Sequence, residues 1–512
     1  MVKKILNLIF SRMTIVGMLI LLQVGMILSV IWKLSNYFIY FYAGCVVISV
    51  IVVIHLVSKN VNPSYKLAWA IPIMLFPVFG GLFYIIAGNN RLGKSFRKRL
   101  AEIHHRTVPF LQQDETIMEE LEDKDKHIMS QARYIHNASG FPIYKNTKTK
   151  YLSPGELFFK SLIEELEKAE HFIFMEYFII DEGMMWDKVL DVLEKKAKKG
   201  VDVRVLYDDI GCLKTLPYKY EEELRKRGIQ CLVFNPLSPA VSIILNNRDH
   251  RKITVIDGHV GFMGGINLAD EYINAVERFG HWKDAAILLK GEAVWNLSMM
   301  FLQVWELTKG VDEDYNLYRP HVHHPEPFES DGYVQPYGDS PLDQETVGEN
   351  VYLNLLHKAK NYVYICTPYL IVDNEMITAL SLAAKSGVDV RIMTPYIEDK
   401  WYVHILTRAY YEQLIKVGIK IYEYTPGFIH SKTFVSDDEV GVVGSINMDY
   451  RSLYLHFECG TWLYQTETIK DIKEDFLSMQ EIATPITLED CRRVKLITRI
   501  MRSILRLLAP LM

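Results

Sequence analysis

Residues 249–272 read DHRKITVIDGHVGFMGGINLADEY, and residues 430–450 read HSKTFVSDDEVGVVGSINMDY. The two stretches agree position by position. His250 and His430 are followed at +2 by Lys252 and Lys432, at +7 by Asp257 and Asp437, at +14 by Gly264 and Gly444, and at +17 by Asn267 and Asn447. A single HxKxxxxD would be weak, because histidine and lysine are common on solvated strands. Two copies sharing five positions, each inside a longer duplicated stretch, point to one unit written twice.

The surrounding sequence repeats too. AKKGVDVRVLY from Ala197 returns as AAKSGVDVRIMTP from Ala383, each reading as a helix end, a glycine cap and a buried strand. HFIFMEYFIID from His171 is echoed by YVYICTPYLIVD from Tyr362. Helical and strand patterns alternate, which predicts an α/β fold in each half.

On a strand, side chains at i and i+2 share a face, so His250 and Lys252 point into one site, as do His430 and Lys432. Each asparagine follows a Gly-rich turn that lets backbone approach a ligand. Lysine offers a point charge and asparagine N–H donors, a combination suited to phosphoryl oxygens. Two facing half-sites make a cationic cradle for one phosphodiester with an imidazole on each side. One imidazole can attack phosphorus while the other protonates the leaving alkoxide and later activates the incoming hydroxyl. Lysine and asparagine balance the oxygen charge, so this logic requires no metal and no cofactor.

The doubled HxKxxxxD-x6-G[GS]xN pattern resembles the phospholipase D superfamily over roughly residues 134–484. Within it, DHRKITVIDG, GGINLADEY, HWKDAAILLKG and GSINMDYRSLYLHFE, the N-terminal apolar runs, NPSYKLAW and the LLAPLM ending are similar to bacterial cardiolipin synthases. The resemblance implies two tandem α/β sandwich domains around a pseudo-twofold active site, preceded by N-terminal transmembrane helices. It also implies metal-independent chemistry through a covalent phosphohistidine, usually on the N-terminal histidine, which designates His250 as nucleophile and His430 as acid/base. The motif aspartates Asp257 and Asp437 belong to the catalytic signature, but their odd separation from the histidines points them off the site's face and toward a structural hydrogen bond. Asp284 and Glu458, 34 and 28 residues past His250 and His430, are the expected histidine-orienting acids. Asn267 and Asn447 are the expected phosphate donors. His456 stands where many such synthases have asparagine.

Composition bounds the alternatives. With 512 residues, 49% of them hydrophobic, the chain can fill several cores. A net charge of −5 gives no support to a nucleic-acid partner. The six cysteines form no CxxC pair, which speaks against a zinc ribbon or a disulfide framework and fits a reducing compartment. His321, His323 and His324 lie in a Pro-rich polar segment without a partner cysteine and are not read as a metal site. His259 and His281 read as ordinary polar residues. The oligomeric state is not legible.

Two apolar runs, 14–32 and 37–57, are each long enough to cross a bilayer, and no small-residue cleavage site follows the first. A third, 67–87, carries Pro72, Pro77, Gly80 and Gly81, and reads as a re-entrant or interfacial hairpin. Two spans leave both basic clusters (Lys3, Lys4, Arg12 and Arg91–Arg99) on the cytoplasmic side, which predicts a multi-pass cell-membrane protein with cytoplasmic catalytic domains. The expected organisation is a membrane anchor with a basic linker over 1–133, phospholipase D-like domains over 134–325 and 326–485, and a basic amphipathic helix over 486–512. On that helix Val494, Ile497, Met501, Ile504 and Leu508 fall on one face and Lys495, Arg499, Arg502 and Arg506 on another, a pattern suited to an anionic bilayer, with packing on the catalytic domain behind a solvated basic side as the alternative.

The reaction expected is 2 phosphatidylglycerol → cardiolipin + glycerol. The alternative is a membrane-bound phospholipase D-type hydrolase or transphosphatidylase using another phospholipid donor. A degenerate scaffold would have lost a motif histidine or lysine, and neither half has.

Overall fold

The computed structural model describes residues 25, 28–29, 38–77, 80–81, 84, 94–236, 247–342 and 345–511. Two compact units are present: the chain up to residue 91, with 237–246 and Leu511, forms the first, and the rest forms the second.

In the first unit the helix Phe38–Ser58 is long and apolar enough to cross a membrane, with a mean hydropathy of 2.4 over Ile39–Ser58. The expected span at 14–32 lies outside the described residues. The next helix, Pro63–Leu75, starts on an Asn62 cap and contains Pro72. Ser49, midway along the apolar helix, donates to the carbonyl of Pro77 at 2.9 Å. By Tyr84 the chain has returned: its hydroxyl accepts from Lys59 at 3.1 Å, and its ring stacks edge-on with Trp69 at 5.2 Å. Pro77 thus lies beside the middle of the apolar helix and Tyr84 beside the residue that follows its end.

The second unit carries two sheets of matching order. The first runs Thr147–Leu152, Ala286–Gly291, Val260–Gly264, Lys252–Ile256, Phe172–Tyr177, Asp202–Asp208, Gln230–Phe234. The second runs Tyr333–Asp339, Glu458–Tyr464, Val440–Gly444, Thr433–Ser436, Tyr362–Cys366, Asp389–Pro395, Lys420–Tyr424, and adds Thr484–Ile486 at its edge. The motif strand holds the same central place in each sheet, flanked by the hairpin partner on one side and the repeated FIFMEY or YVYIC strand on the other. Both strands are buried throughout, as a continuous apolar run with helices on the sheet faces demands. Between the sheets lies the helix Val294–Lys309, apolar on nearly every side because it is covered on nearly every side. Its Phe301 stacks on Phe174 of the first sheet at 4.6 Å, and its Asn296 donates to the carbonyl of Pro336 in the second at 2.8 Å.

Two segments depart from expectation. The region 94–133, read as a basic linker, forms helices Lys94–Thr107 and Glu115–Lys124 and most of Lys126–Ser139, all part of the catalytic unit. Arg106 pairs with the buried Glu306 at 2.8 Å, and Met118, Leu121, Ile128 and Ile135 enter the core of the second half. The C-terminal helix Leu496–Leu508 packs on the second half along one flank. Leu505 meets the core, while Arg506 donates to Gln413 at 2.6 Å and covers the Tyr410 ring at 4.6 Å. Its other flank presents Leu496, Ile497, Ile500 and Ile504 to the outside, from 73% to 49% exposed. Arg506 is thus committed to the domain, whereas Lys495 and Arg499 stay exposed.

Candidate active site

The motif histidines sit where the two halves touch. The short strand His281–Lys283 of the first half pairs in parallel with Gly427–Ile429 of the second, Lys283 opposite Ile429. The next residues along each chain are Asp284 and His430, so the register sets them side by side. His430 Nδ1 lies 2.6 Å from Asp284 Oδ2, and the backbone N–H of His430 donates to the carbonyl of Lys283 at 2.7 Å. A matching parallel bridge joins Asp249 to Phe457. The residues that follow are His250 and Glu458, and His250 Nδ1 lies 2.9 and 3.1 Å from the two Glu458 oxygens. Each histidine therefore takes its carboxylate from the other half, whereas spacing along the sequence assigns each acid to the histidine of its own half. Long-range pairing of the linking strands causes the crossing, and chain separation carries no trace of it.

Lys252 and Lys432 project beside their histidines, and each Nζ donates to the backbone carbonyl of the histidine two residues before it. All four groups are at least nine-tenths buried. Burial pushes both lysines down, Lys252 to about 8 and Lys432 to about 7, against the pull of Glu458 and Asp284. Burial, with the nearby lysines, also pushes His250 well below the usual imidazole range and His430 to about 4. Burial opposes the charge of Asp284, yet His430 and Lys432 outweigh it and hold the carboxyl below its usual range. Each imidazole directs Nδ1 at a carboxylate, which leaves Nε2 to attack or to carry a proton.

The alternate residues of the same strand face away. Arg251 pairs with Glu176 at 2.7 Å and Asp249 at 3.2 Å, while Arg248, which precedes the strand in the same alternation as His250, pairs with Asp208 at 2.9 Å. Asp257 and Asp437 lie at the far ends of their strands, roughly 17 Å from the lysines at the usual strand rise. Each adopts a left-handed conformation (φ 49° and 54°), which aspartate tolerates in a tight turn. The Asp257 carboxylate accepts from the backbone of Glu170, His171 and Phe172, and that of Asp437 from Lys360, Asn361 and Tyr362. Their place in the signature is thus structural: they clamp the hairpin to the neighbouring strand and reach no reacting group.

Asn267 and Asn447 are buried and engaged with protein. Asn267 accepts from Ile179 N at 2.9 Å and donates to the Tyr272 hydroxyl at 2.7 Å, while Asn447 donates to Ser452 Oγ at 3.0 Å. Each amide thereby spends one N–H on its own loop.

Several neighbours were not singled out by sequence. Ser445 Oγ donates to Glu458 Oε2 at 2.5 Å, which the S of the second GSxN could have suggested. At the matching place stands Gly265, where a Cβ would collide with the Asp284 carboxylate. Phe178 lies edge-on to His250 at 4.9 Å, and Tyr272 edge-on to His430 at 5.5 Å, which keeps the imidazoles in an apolar frame. His456 has its ring 5.5 Å from that of His250 and its Nδ1 3.8 Å from Glu458. Among the described residues, His250, His456 and Glu458 are the set whose ligating atoms, within 4.8 Å of one another, could hold a cation. The His321 group spreads out instead: His321 reaches Glu292, His323 stacks on His171 and His324 on His259.

The geometry so far is a duplicated, lysine-flanked histidine pair completed across the two halves. The profile of a family described as cardiolipin synthase, phospholipase D-like domain, matches residues 162–292 and again 352–480. A second, described as phospholipase D-nuclease N-terminal, matches 47–89. A cardiolipin synthase of Geobacillus sp. (strain WCH70) is 37% identical over 92% of this chain and 93% of its own, and one of Halalkalibacterium halodurans is 32% identical over 98% and 100%. The chain belongs to the cardiolipin synthases of the phospholipase D superfamily. It is a phosphatidyltransferase, and its substrates are phospholipids. An uncharacterized protein of Streptococcus mutans is 45% identical over 90% of the chain. The crystal structure of a phosphatidylserine synthase of Haemophilus influenzae superposes with a TM-score of 0.55 over 74% of this chain and 96% of its own, at 13% identity, a likeness of fold.

Proposed function

We propose that this synthase joins two phosphatidylglycerol molecules into cardiolipin and glycerol, with His250 as nucleophile and His430 as acid and base. His250 Nε2 attacks the phosphorus of the first lipid, the P–O bond to its glycerol headgroup breaks, and protonated His430 delivers a proton to the departing oxygen. A hydroxyl of the second lipid then gives its proton to His430 and attacks phosphorus, and the P–N bond breaks. One proton leaves His430 and one returns, and no nucleotide is consumed. Lys252, Lys432 and the unspent N–H of Asn267 and Asn447 hold the phosphoryl oxygens. No step needs a metal.

The observation that carries this reading is the crossed histidine–carboxylate pairs, each beside its lysine. The shorter contact, 2.6 Å to Asp284, favours His430 as the group that holds a proton. His250, whose carboxylate contacts are longer at 2.9 and 3.1 Å, suits the neutral attacking role.

The setting is the cell membrane, with at least the helix Phe38–Ser58 crossing it, the hairpin that follows entering and leaving on one side, and the catalytic halves in the cytoplasm. The exposed apolar flank of Leu496–Leu508, with Lys495 and Arg499, lies in the bilayer surface. Burial of the site among lipids helps a hydroxyl compete with water. The test is to give the purified protein phosphatidylglycerol labelled in its headgroup and to count products. Equal amounts of cardiolipin and glycerol are expected. Phosphatidic acid as the main product would establish a hydrolase instead.

A further inference from the structure

The chain neutralises two of the arginines around its motif strand and leaves a third without an acid. Arg248 and Arg251 each have a carboxylate within 3 Å. Arg451, in the short helix Tyr450–Tyr454 just past Asn447, has none within ion-pair distance among the described residues. Among the described residues its one side-chain hydrogen bond is a long one, Nε to His456 Nε2 at 3.4 Å. Burial pushes the guanidinium below its usual range, and Asp449, two residues back, offsets this only in part. A partly buried cation with no partner carries a standing cost, and such costs gather where a ligand supplies the missing charge.

Its place says which ligand. His456, on which Arg451 leans, lies 3.8 Å from Glu458, and Glu458 holds the nucleophile His250. Burial pushes His456 to about 3, so it is a neutral ring that orients the guanidinium and adds no charge of its own. Arg451 thus stands one side chain away from the reacting pair, outside the Lys252–Lys432 cradle. Joining two anionic lipids brings two phosphates to one site. The cradle neutralises the one that reacts. The second lipid attacks through a hydroxyl only three carbons from its own phosphate, which must then sit beside the cradle as a second anion. We propose that Arg451 binds that second phosphodiester, the phosphate of the acceptor phospholipid, with its planar fork of N–H donors. The inference rests on the reaction proposed above.

It can be tested separately from that reaction. Exchange of labelled free glycerol into phosphatidylglycerol passes through the same phosphatidyl-enzyme but uses a neutral acceptor, so only one phosphate occupies the site. Arg451→Gln should lower the ratio of cardiolipin formation to glycerol exchange by about tenfold or more, the loss of a charge-assisted bond to one substrate. Arg451→Lys, which keeps the charge but not the fork, should fall between. The residual exchange rate shows in each variant that the protein is folded. Equal loss of both reactions, or an unchanged ratio, overturns the assignment of Arg451. Absence of glycerol exchange in the unaltered protein would instead contradict the phosphatidyl-enzyme reading.

Discussion

The two half-sites are copies that have drifted apart in one respect, the way each carboxylate is held. His430 meets the short side chain of Asp284 through one contact of 2.6 Å, and Gly265 leaves room for that carboxylate to sit close. His250 meets the longer Glu458 through two looser contacts, and Ser445, where the other half has glycine, ties down the far oxygen. Glu458 is also shared, with His456 nearby, whereas among the described residues Asp284 pairs with the His430 imidazole alone. The difference teaches that a twofold sequence motif does not make twofold chemistry. Tight pairing suits the imidazole that must hold a proton at the leaving group, and looser pairing suits the one that must offer a lone pair to phosphorus.

The most severe way to break the comparison is to remove either ring. His250→Ala and His430→Ala should each reduce cardiolipin synthesis by about 10³-fold or more, and the double variant should be scarcely worse than either, because the pair acts as one unit. Substantial turnover by one of them would mean that the halves do not share a site.

Exchanging the carboxylates for amides sharpens the contrast. Asp284→Asn and Glu458→Gln should each cost roughly 10²–10⁴ in kcat, since an amide can hold the wrong tautomer. They should differ in their pH dependence. Without Asp284, His430 holds its proton less well, so the limb that reports a protonated acid moves to lower pH. Without Glu458 the loss should be closer to uniform across pH. Identical profiles would erase the distinction drawn between the halves.

The lysines set a milder, titratable difference. With Lys432 held at about 7 and Lys252 at about 8, both below the usual range, each loses its charge as pH rises through those values. Phosphate binding should weaken in that order, so kcat/KM falls on the alkaline side beginning near pH 7. Lys432→Arg should push the fall to higher pH. A flat profile from pH 7 to 9 would remove the cationic cradle from the account.

Much of this architecture is legible in the sequence because it depends on short-range pattern. The i, i+2 spacing places each histidine with its lysine, and the repeats at Ala197 and Ala383 mark strands that do occupy matching places in the two sheets. The odd offset of Asp257 and Asp437 already sets them apart from the chemistry. What sequence withholds is long-range. The crossing of Asp284 to His430 and of Glu458 to His250 follows from which linking strands pair, and nothing within either stretch encodes it. The Gly-rich turns show that Asn267 and Asn447 can approach a ligand, but nothing in the sequence marks Tyr272 and Ser452 as groups that engage one N–H of each. The tail is legible only in part, for a related reason. Helical spacing shows that apolar and basic faces exist, but not that Arg506 is spent on Gln413 and Tyr410.

That corrected tail supports the smallest expected effect. Ile497→Ser with Ile500→Ser should lower activity on anionic bilayers several-fold and leave activity in detergent micelles nearly intact, because the exposed flank they alter is the one proposed to meet lipid. Arg506→Gln should act alike in both systems, since it loosens the helix from the second half. An equal loss for the isoleucine pair in micelles would place that flank against protein.

The central claim, that one asymmetric site uses His250 for the covalent step and His430 for the proton, is tested most directly by locating the bound phosphatidyl group. The protein is quenched in mild alkali while turning over phosphatidylglycerol labelled in its diacylglycerol moiety, then digested, and the labelled peptide is identified by mass spectrometry. The account predicts label on the peptide containing His250. Label on His430, or on both histidines equally, would contradict it.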